Sequence, residues 1–369
     1  MTRHNPPFRA EHVGSLLRPQ RLKDAAKRFA KGDLSRDAYV EILDDEVGRV
    51  VELQESVGLR SITDGEFSRS SWFGFFFERL AGFTLKPSLF QFHDDGGHDF
   101  EWMTCFASDK MRRVQPICVG DFERLRGLTR QTPKANMPSP SALHFFRGDQ
   151  CRDVAVYPDI DEWWSDLIQI YQAEIRALED AGCRYLQLDE VPMAMLCDDE
   201  VRRQVSAGGG DPDALLRRYV GAINEVLDAR SAGMTVGLHL CRGNFRSRWM
   251  ARGGYEPVAG ILFNDLDVDV YFLEYDSPRA GDFSPLRHVA ADKSVVLGLV
   301  SSKSAGLENR EALKRRIDEA TEYVPLDRLA ISPQCGFASV AGGNPLDEAE
   351  QMRKLSLIVE VAREVWGEA

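Results

Sequence analysis

Four side chains in the second half of the chain are of types that bind a borderline-soft metal ion. They are His239 and Cys241 in VGLHLCRGNFRS, Glu274 in VYFLEYDSP, and Cys335 in AISPQCGFAS. One imidazole, two thiols and one carboxylate are donors that suit zinc. Each stretch is a short apolar run that ends at the polar residue, as a strand does when it delivers a side chain at its tip. His239 and Cys241 are two apart, so on a strand they point the same way. A lone His-x-Cys is weak ground, because buried free cysteine is an ordinary small hydrophobe. Cys335 adds to it by lying in a Pro-Gln-Cys-Gly turn outside any apolar run. Glu274 closes a run of bulky apolar residues, where an unpaired carboxylate would be costly. The closely paired cysteines of a structural zinc site are absent, and ligands spread over several strand ends suit a catalytic ion. A free thiol, with a pKa near ~8.5, is mostly protonated at neutral pH. Metal binding deprotonates it, which prepares it to attack an electrophilic carbon in an alkyl transfer.

The pattern along the chain says what must position these groups. From about residue 159 strand and helix alternate strictly, with helices predicted at 159–182, 198–206, 211–230, 255–263, 284–290, 308–323 and 345–366. Strands are predicted at 185–189, 234–240, 269–274, 294–300 and 328–332. The first part adds strands at 8–13, 60–63 and 134–137, and helices at 19–31 and 35–58. Eight βα units predict an α/β fold, a single TIM (β/α)8 barrel over residues 1–369. Residues about 83–130 break the alternation. Their FTLKPSLFQFHDD, GGHDF and VGDFERLRGLT suggest extended hairpins, a β-rich insertion after the second βα unit, whose aromatics favour a buried contact as lid or oligomer surface. Catalytic groups of such barrels sit at the C-terminal strand ends. Here those ends carry His12-Val13-Gly14-Ser15, Asp64-Gly65-Glu66, Gln187-Leu188-Asp189-Glu190, His239-Leu240-Cys241, Glu274, Ser301-Ser302 and Cys335.

Composition narrows the partners. With 46 Lys+Arg against 58 Asp+Glu, a net charge of −12 and no basic run, the chain is a poor match for nucleic acid or an anionic membrane. The first fifteen residues lack the apolar core of a signal peptide. The richest apolar stretch, Ser71 to Leu80, is too short to span a bilayer. Seven cysteines with irregular spacing and no C-x-x-C make no disulfide framework, so a cytoplasmic protein with reduced thiols is expected. Cys105 and Cys118 share the insertion with His93 and His98, at a spacing that matches no metal pattern.

Taken together, these motifs resemble the catalytic barrel of cobalamin-independent methionine synthase, and more closely its short single-barrel, methionine synthase II-like branch. The His-x-Cys, the strand-end Glu and the Pro-x-Cys-Gly element occur in the family's order, over nearly the whole chain outside 83–130. The resemblance implies a Zn2+ ion on His239, Cys241, Cys335 and a displaceable Glu274. It also implies that Val13 and Ser15 hold the carboxylate of homocysteine while Glu66 and Asp189 hold its ammonium, a sound pairing of charges. Without it, Ser15 reads as a turn residue, while for Glu66 a solvated loop charge and for Asp189 a helix N-cap stand open beside the binding role.

Three features depart from the family pattern. No second barrel is expected from this sequence to help build a folate site. The histidine of the I-H-S-P element, assigned to proton donation toward the leaving group, is replaced by Val300-Ser301-Ser302-Lys303, and Pro133–Ser141 matches the G-P-V-T stretch only loosely. The expected function is zinc-dependent thiol S-alkyl transfer, led by methyl transfer to homocysteine from a folate or from a corrinoid, free or on a partner protein. An epoxyalkane:coenzyme M transferase is the alternative within the same branch, with Arg242, Asn244, Arg246 and Arg248 near a sulfonate. A metal-assisted decarboxylase or hydrolase using Asp189 or Glu66, and a non-catalytic zinc- or thiol-binding relative, complete the field. Homo-oligomerisation is left open.

Overall fold

The computed structural model describes residues 6–93 and 99–369. Its strands are β1 (Ser61–Ile62), β2 (Leu80–Pro87), β3 (Phe92–His93), β4 (Asp99–Phe100), β5 (Met103–Arg113), β6 (Thr132–Pro133), β7 (Ala135–Pro138), β8 (Tyr185–Glu190), β9 (Thr235–Leu240), β10 (Val270–Glu274), β11 (Ser294–Val300) and β12 (Leu329–Pro333). Strands β7 to β12 form one parallel sheet in strict sequence order. Parallel neighbours need crossovers. Helices Ile160–Asp180, Pro212–Leu227, Glu256–Asp265 and Arg310–Ala320 supply four of them, and Glu348–Trp366 follows β12. Between β10 and β11 the crossover is only two short 3-10 turns, Pro278–Ala280 and Ser284–His288.

The sheet continues past β7. Strands β6 and β7 are one run interrupted at Lys134, and β1 lies parallel to β6 with Lys134 N donating to Ile62 O. At the other edge the segment 8–13, expected as a strand, makes a single bridge from Ala10 to Ile331. Prolines 6 and 7 have no N–H to donate, so a ladder cannot start before Phe8. Toward β1 this segment is joined by side chains: Ser61 Oγ donates to Glu11 Oε2 at 2.7 Å and Thr63 Oγ1 to Gly14 O at 2.7 Å. The strand order is thus that of a (β/α)8 fold, with a seam made of side-chain bonds.

Alternate residues of each strand face inward. Tyr185, Val270, Phe272, Val296 and Ala330 form a small cluster of their own, separate from the large core under the helices. A buried polar network accompanies it. Lys134 Nζ donates to His12 O and, at 3.1 Å, to Gln187 Oε1, and lies 3.6 Å from Glu11. Tyr185 Oη and Phe8 N also donate to Glu11. Lys134 and Glu11 are both fully buried, so each depends on the other.

The insertion is partly as expected and partly not. β2 and β5 form an antiparallel hairpin, and β3 and β4 a small pair; residues 94–98, including His98, lie outside the described residues. The stretch VGDFERLRGL is not extended but the helix Val119–Leu128. Its Phe122 and Leu125 fall three apart on one buried face, a helical spacing hidden by glycines at both ends. It packs against helices Arg36–Val57 and Ile160–Asp180, in the place of the crossover between β1 and β6. Among the described residues no helix is long and apolar enough to cross a membrane.

Removing one partner of the buried pair strands the other. Lys134→Met should lower the unfolding free energy by roughly 3–5 kcal/mol in urea titrations, and adding Glu11→Gln should recover part of the loss. An unchanged midpoint would show that the network carries no stability.

Candidate active site

Inward-facing positions at successive strand tips converge. In register, Asp189 lies beside His239, and His239 beside Phe272. His239 on β9, Cys241 just beyond it and Cys335 just beyond β12 bring their ligand atoms within 4.8 Å of one another, all three buried. The two sulfurs are 3.3 Å apart. Neither ring nitrogen of His239 has a hydrogen-bond partner among the described residues, which is unusual for a buried imidazole. A hydrogen bond from Cys241 holds the Cys335 thiol well below the ordinary thiol range against the effect of burial, with His239 adding to it. The same contact, together with burial, pushes Cys241 well up. Burial pulls His239 down, but Cys335, Asp189 and Glu274 hold it above its ordinary value. A thiolate, a thiol and an imidazole within this span fit a tetrahedral zinc ion with bonds of about 2.0–2.3 Å.

Glu274 stands apart from this trio. Its carboxylate is fully buried and accepts from Arg242 N at 3.1 Å, Lys303 Nζ at 3.2 Å and Arg279 Nη2 at 3.3 Å. Burial would raise its pKa, but Lys303 and Arg242 hold it at about 2. Lys303 is in turn held above its ordinary value by Glu274 despite burial. Arg242 is wholly buried and donates to Gly253 O and Tyr255 Oη.

The thiols open onto a cavity of about 230 Å³ whose lining includes Val13, Ser15, Glu66, Asp189, His239, Cys241 and Cys335. Glu66 is the most constrained of these. It adopts φ 60°, a left-handed conformation costing on the order of 1 kcal/mol or more outside glycine. Asp64 Oδ1 caps its N–H, and Arg18 Nη2 clamps its carbonyl at 2.7 Å. Burial pushes its carboxyl up to about 8, against the pull of Arg69 3.8 Å away, and one carboxylate oxygen has no hydrogen-bond partner among the described residues. Asp189 is pushed up to about 6 by burial, with His239 and a 2.7 Å bond from Gln187 Nε2 opposing. Two glycines make the close packing at the end of the first segment possible. At Gly14 (φ 130°) a Cβ would meet Asn136 Nδ2 at 2.5 Å, and at Gly336 it would meet Ser15 Oγ at 1.9 Å.

Trp72, Phe73, Trp102, Met103, Phe146, Phe245 and Met250 make the remaining wall largely apolar. No Lys or Arg lines the cavity among the described residues; Asn244 does, but Arg242, Arg246 and Arg248 do not. Arg248 instead lies 3.9 Å over the Phe100 ring. Of the aromatic wall, only Trp102 lies in the 83–130 insertion whose aromatics the sequence favours as a buried contact. Trp72 and Phe73 belong to an aromatic run whose composition matches an ordinary core, and only a non-helical 71–73 segment beside a strand end would have flagged them.

A (β/α)8 fold with an imidazole–thiol cluster and two buried carboxylates at its strand ends defines a narrow class of barrel. The family model described as "Cobalamin-independent synthase, Catalytic domain" matches residues 8–364, and the chain belongs to that family. It is 42% identical over 366 residues to the Bacillus subtilis protein YxjH, covering 98% of this chain and 95% of that one. The crystal structure of the putative vitamin-B12 independent methionine synthase from Listeria monocytogenes superposes with a TM-score of 0.73 at 36% identity, covering 98% of this chain and 99% of that one. The Bacillus velezensis 5-methyltetrahydropteroyltriglutamate–homocysteine methyltransferase is 24% identical, and this chain, matched over 93% of its own length, spans 42% of that enzyme.

Cobalt(II) added to the apoprotein should give a thiolate-to-metal absorption band that a Cys241→Ser, Cys335→Ser double variant loses. A band retained by the double variant would remove these cysteines from the site. Glu66 supplies a second check. Its carboxyl pKa is raised by folding, so its contribution to stability is present at low pH and is lost as pH rises toward 8. Glu66→Gln should therefore stabilise the fold at pH 8, by on the order of 2 kcal/mol, and much less at pH 5. Thermal melts at the two pH values read this directly.

Proposed function

We propose that this protein is a zinc-dependent thiol S-methyltransferase that converts homocysteine to methionine. The observation that carries the reading is the sharing of one cavity by His239, Cys241 and Cys335 with Ser15, Glu66 and Asp189. His239, Cys241 and Cys335 would hold the ion, with Glu274 as a fourth ligand that must first leave Lys303 and Arg279. When bound, zinc supplies the acceptor sulfur as a thiolate at neutral pH. The protein's own residues do the rest. Glu66 and Asp189 present carboxylates to the acceptor's ammonium, and Ser15 with the Val13 backbone region faces its carboxylate. Their places around one cavity fix which end of the amino acid reaches the thiols, and orientation of this kind lowers the barrier by removing search. The lack of a Lys or Arg among the described lining residues supports an ammonium-bearing acceptor over a sulfonate such as coenzyme M. Seven free thiols, all buried, are in keeping with a reducing, cytoplasmic setting.

Homocysteine should perturb the cobalt thiolate band saturably, whereas coenzyme M should not. Asp189→Asn should keep the band but weaken homocysteine about 10–100-fold, the worth of a charge-assisted hydrogen bond. Preference for coenzyme M, or an unweakened variant, would sink the assignment.

A further inference from the structure

We propose that the methyl donor is a small onium compound, a sulfonium or a quaternary ammonium, received by the aromatic wall that faces the thiols. This rests on the acceptor reading above and extends it to the second substrate.

The wall is a cluster of aromatic rings packed steeply against one another at the edge of the cavity. Phe73 and Trp102 lie 5.6 Å apart at 81°, Trp102 and Phe146 4.6 Å apart at 77°, and Phe73 and Phe146 6.2 Å apart at 56°. Trp72 adjoins Phe73 at 5.1 Å. Rings set steeply to one another line a corner with π-electron density on more than one side, and cations without N–H donors are bound there by cation–π attraction. The charges agree with the shape. The described lining carries two carboxylic groups, Glu66 and Asp189, and no Lys or Arg, so it offers a polyanionic donor no guanidinium or ammonium partner. Size agrees too, since about 230 Å³ falls below the ~300–1,000 Å³ of sites for drug-sized ligands.

The chemistry fits the groups that are present. The acceptor thiolate sulfur forms a bond to the methyl carbon while the bond from that carbon to the onium centre breaks. The electron pair of the broken bond leaves with a neutral sulfide or tertiary amine. No redox partner is needed, and the leaving group takes up no proton. A donor of this kind needs no acid where Ser301, Ser302 and Lys303 stand, none of which lines the cavity. The reaction also cancels a positive against a negative charge, and apolar walls favour the less charged transition state over the separated ions.

The test uses the zinc-loaded full chain. Trimethylsulfonium and tetramethylammonium are titrated against tryptophan fluorescence, with a neutral tert-butyl alcohol as control. Labelled S-methylmethionine and glycine betaine are then supplied with homocysteine, and methionine is analysed by mass. The onium ions should bind saturably and the alcohol at least tenfold more weakly. The labelled methyl should appear in methionine, and the label source tells sulfonium from ammonium. Trp102→Leu should weaken onium binding about tenfold while Trp102→Phe keeps it, with circular dichroism confirming both folds. If homocysteine perturbs the cobalt band but no onium ion binds or donates, the donor proposal is overturned and the acceptor reading stands. If methionine forms only from a methylated folate or corrinoid, it is overturned as well. If homocysteine itself does not bind, both fall.

Discussion

The two-residue period of a parallel strand is the constraint on which the site depends. Because alternate side chains face inward, Gln187 and Asp189, Gly237 and His239, and Phe272 and Glu274 share one side of the sheet. A slip of one residue between β8 and β9 would turn either Asp189 or His239 into the helix layer. The register is held from below by packed side chains and by the Glu11–Lys134 network. The polar floor thus serves the chemistry above it without touching substrate.

The site is expensive for the fold. Glu66 is buried, strained at φ 60° and only loosely paired with Arg69 at 3.8 Å. Asp64 beside it is also buried, with an oxygen lacking a hydrogen-bond partner among the described residues. His239 keeps two buried nitrogens in the same condition. Such features concentrate where a ligand completes the bonding, and they are otherwise rare in a packed interior.

Much of this was legible in the sequence, and for identifiable reasons. The strands from 185 onward end in polar residues after apolar runs, and the structure has them within a residue or two. The tips with His239, Cys241, Cys335, Asp189, Glu66, Ser15 and Val13 meet at one cavity. What failed were cases decided by long-range partners. The first segment bonds to β1 through side chains, which no local pattern reveals. The helix Val119–Leu128 has glycines that mimic a loop. Glu274 has the expected strand-end position, and only its bonds to Lys303 and Arg279, 29 and 5 residues away in sequence, escaped the local pattern. The aromatic wall came from segments with no periodic signal at all.

The cavity is built from two sources with different tolerance for change. The thiol cluster and the carboxylates stand on strand tips, where a shifted backbone would disturb the barrel. Trp102 and Met103, by contrast, belong to the inserted hairpin, whose strands pair with each other and not with the parallel sheet. Descendants of this scaffold could therefore exchange one half of the reaction by redrawing a loop while inheriting the other half intact, so that kinship in the barrel would foretell the acceptor and the hairpin would foretell the donor.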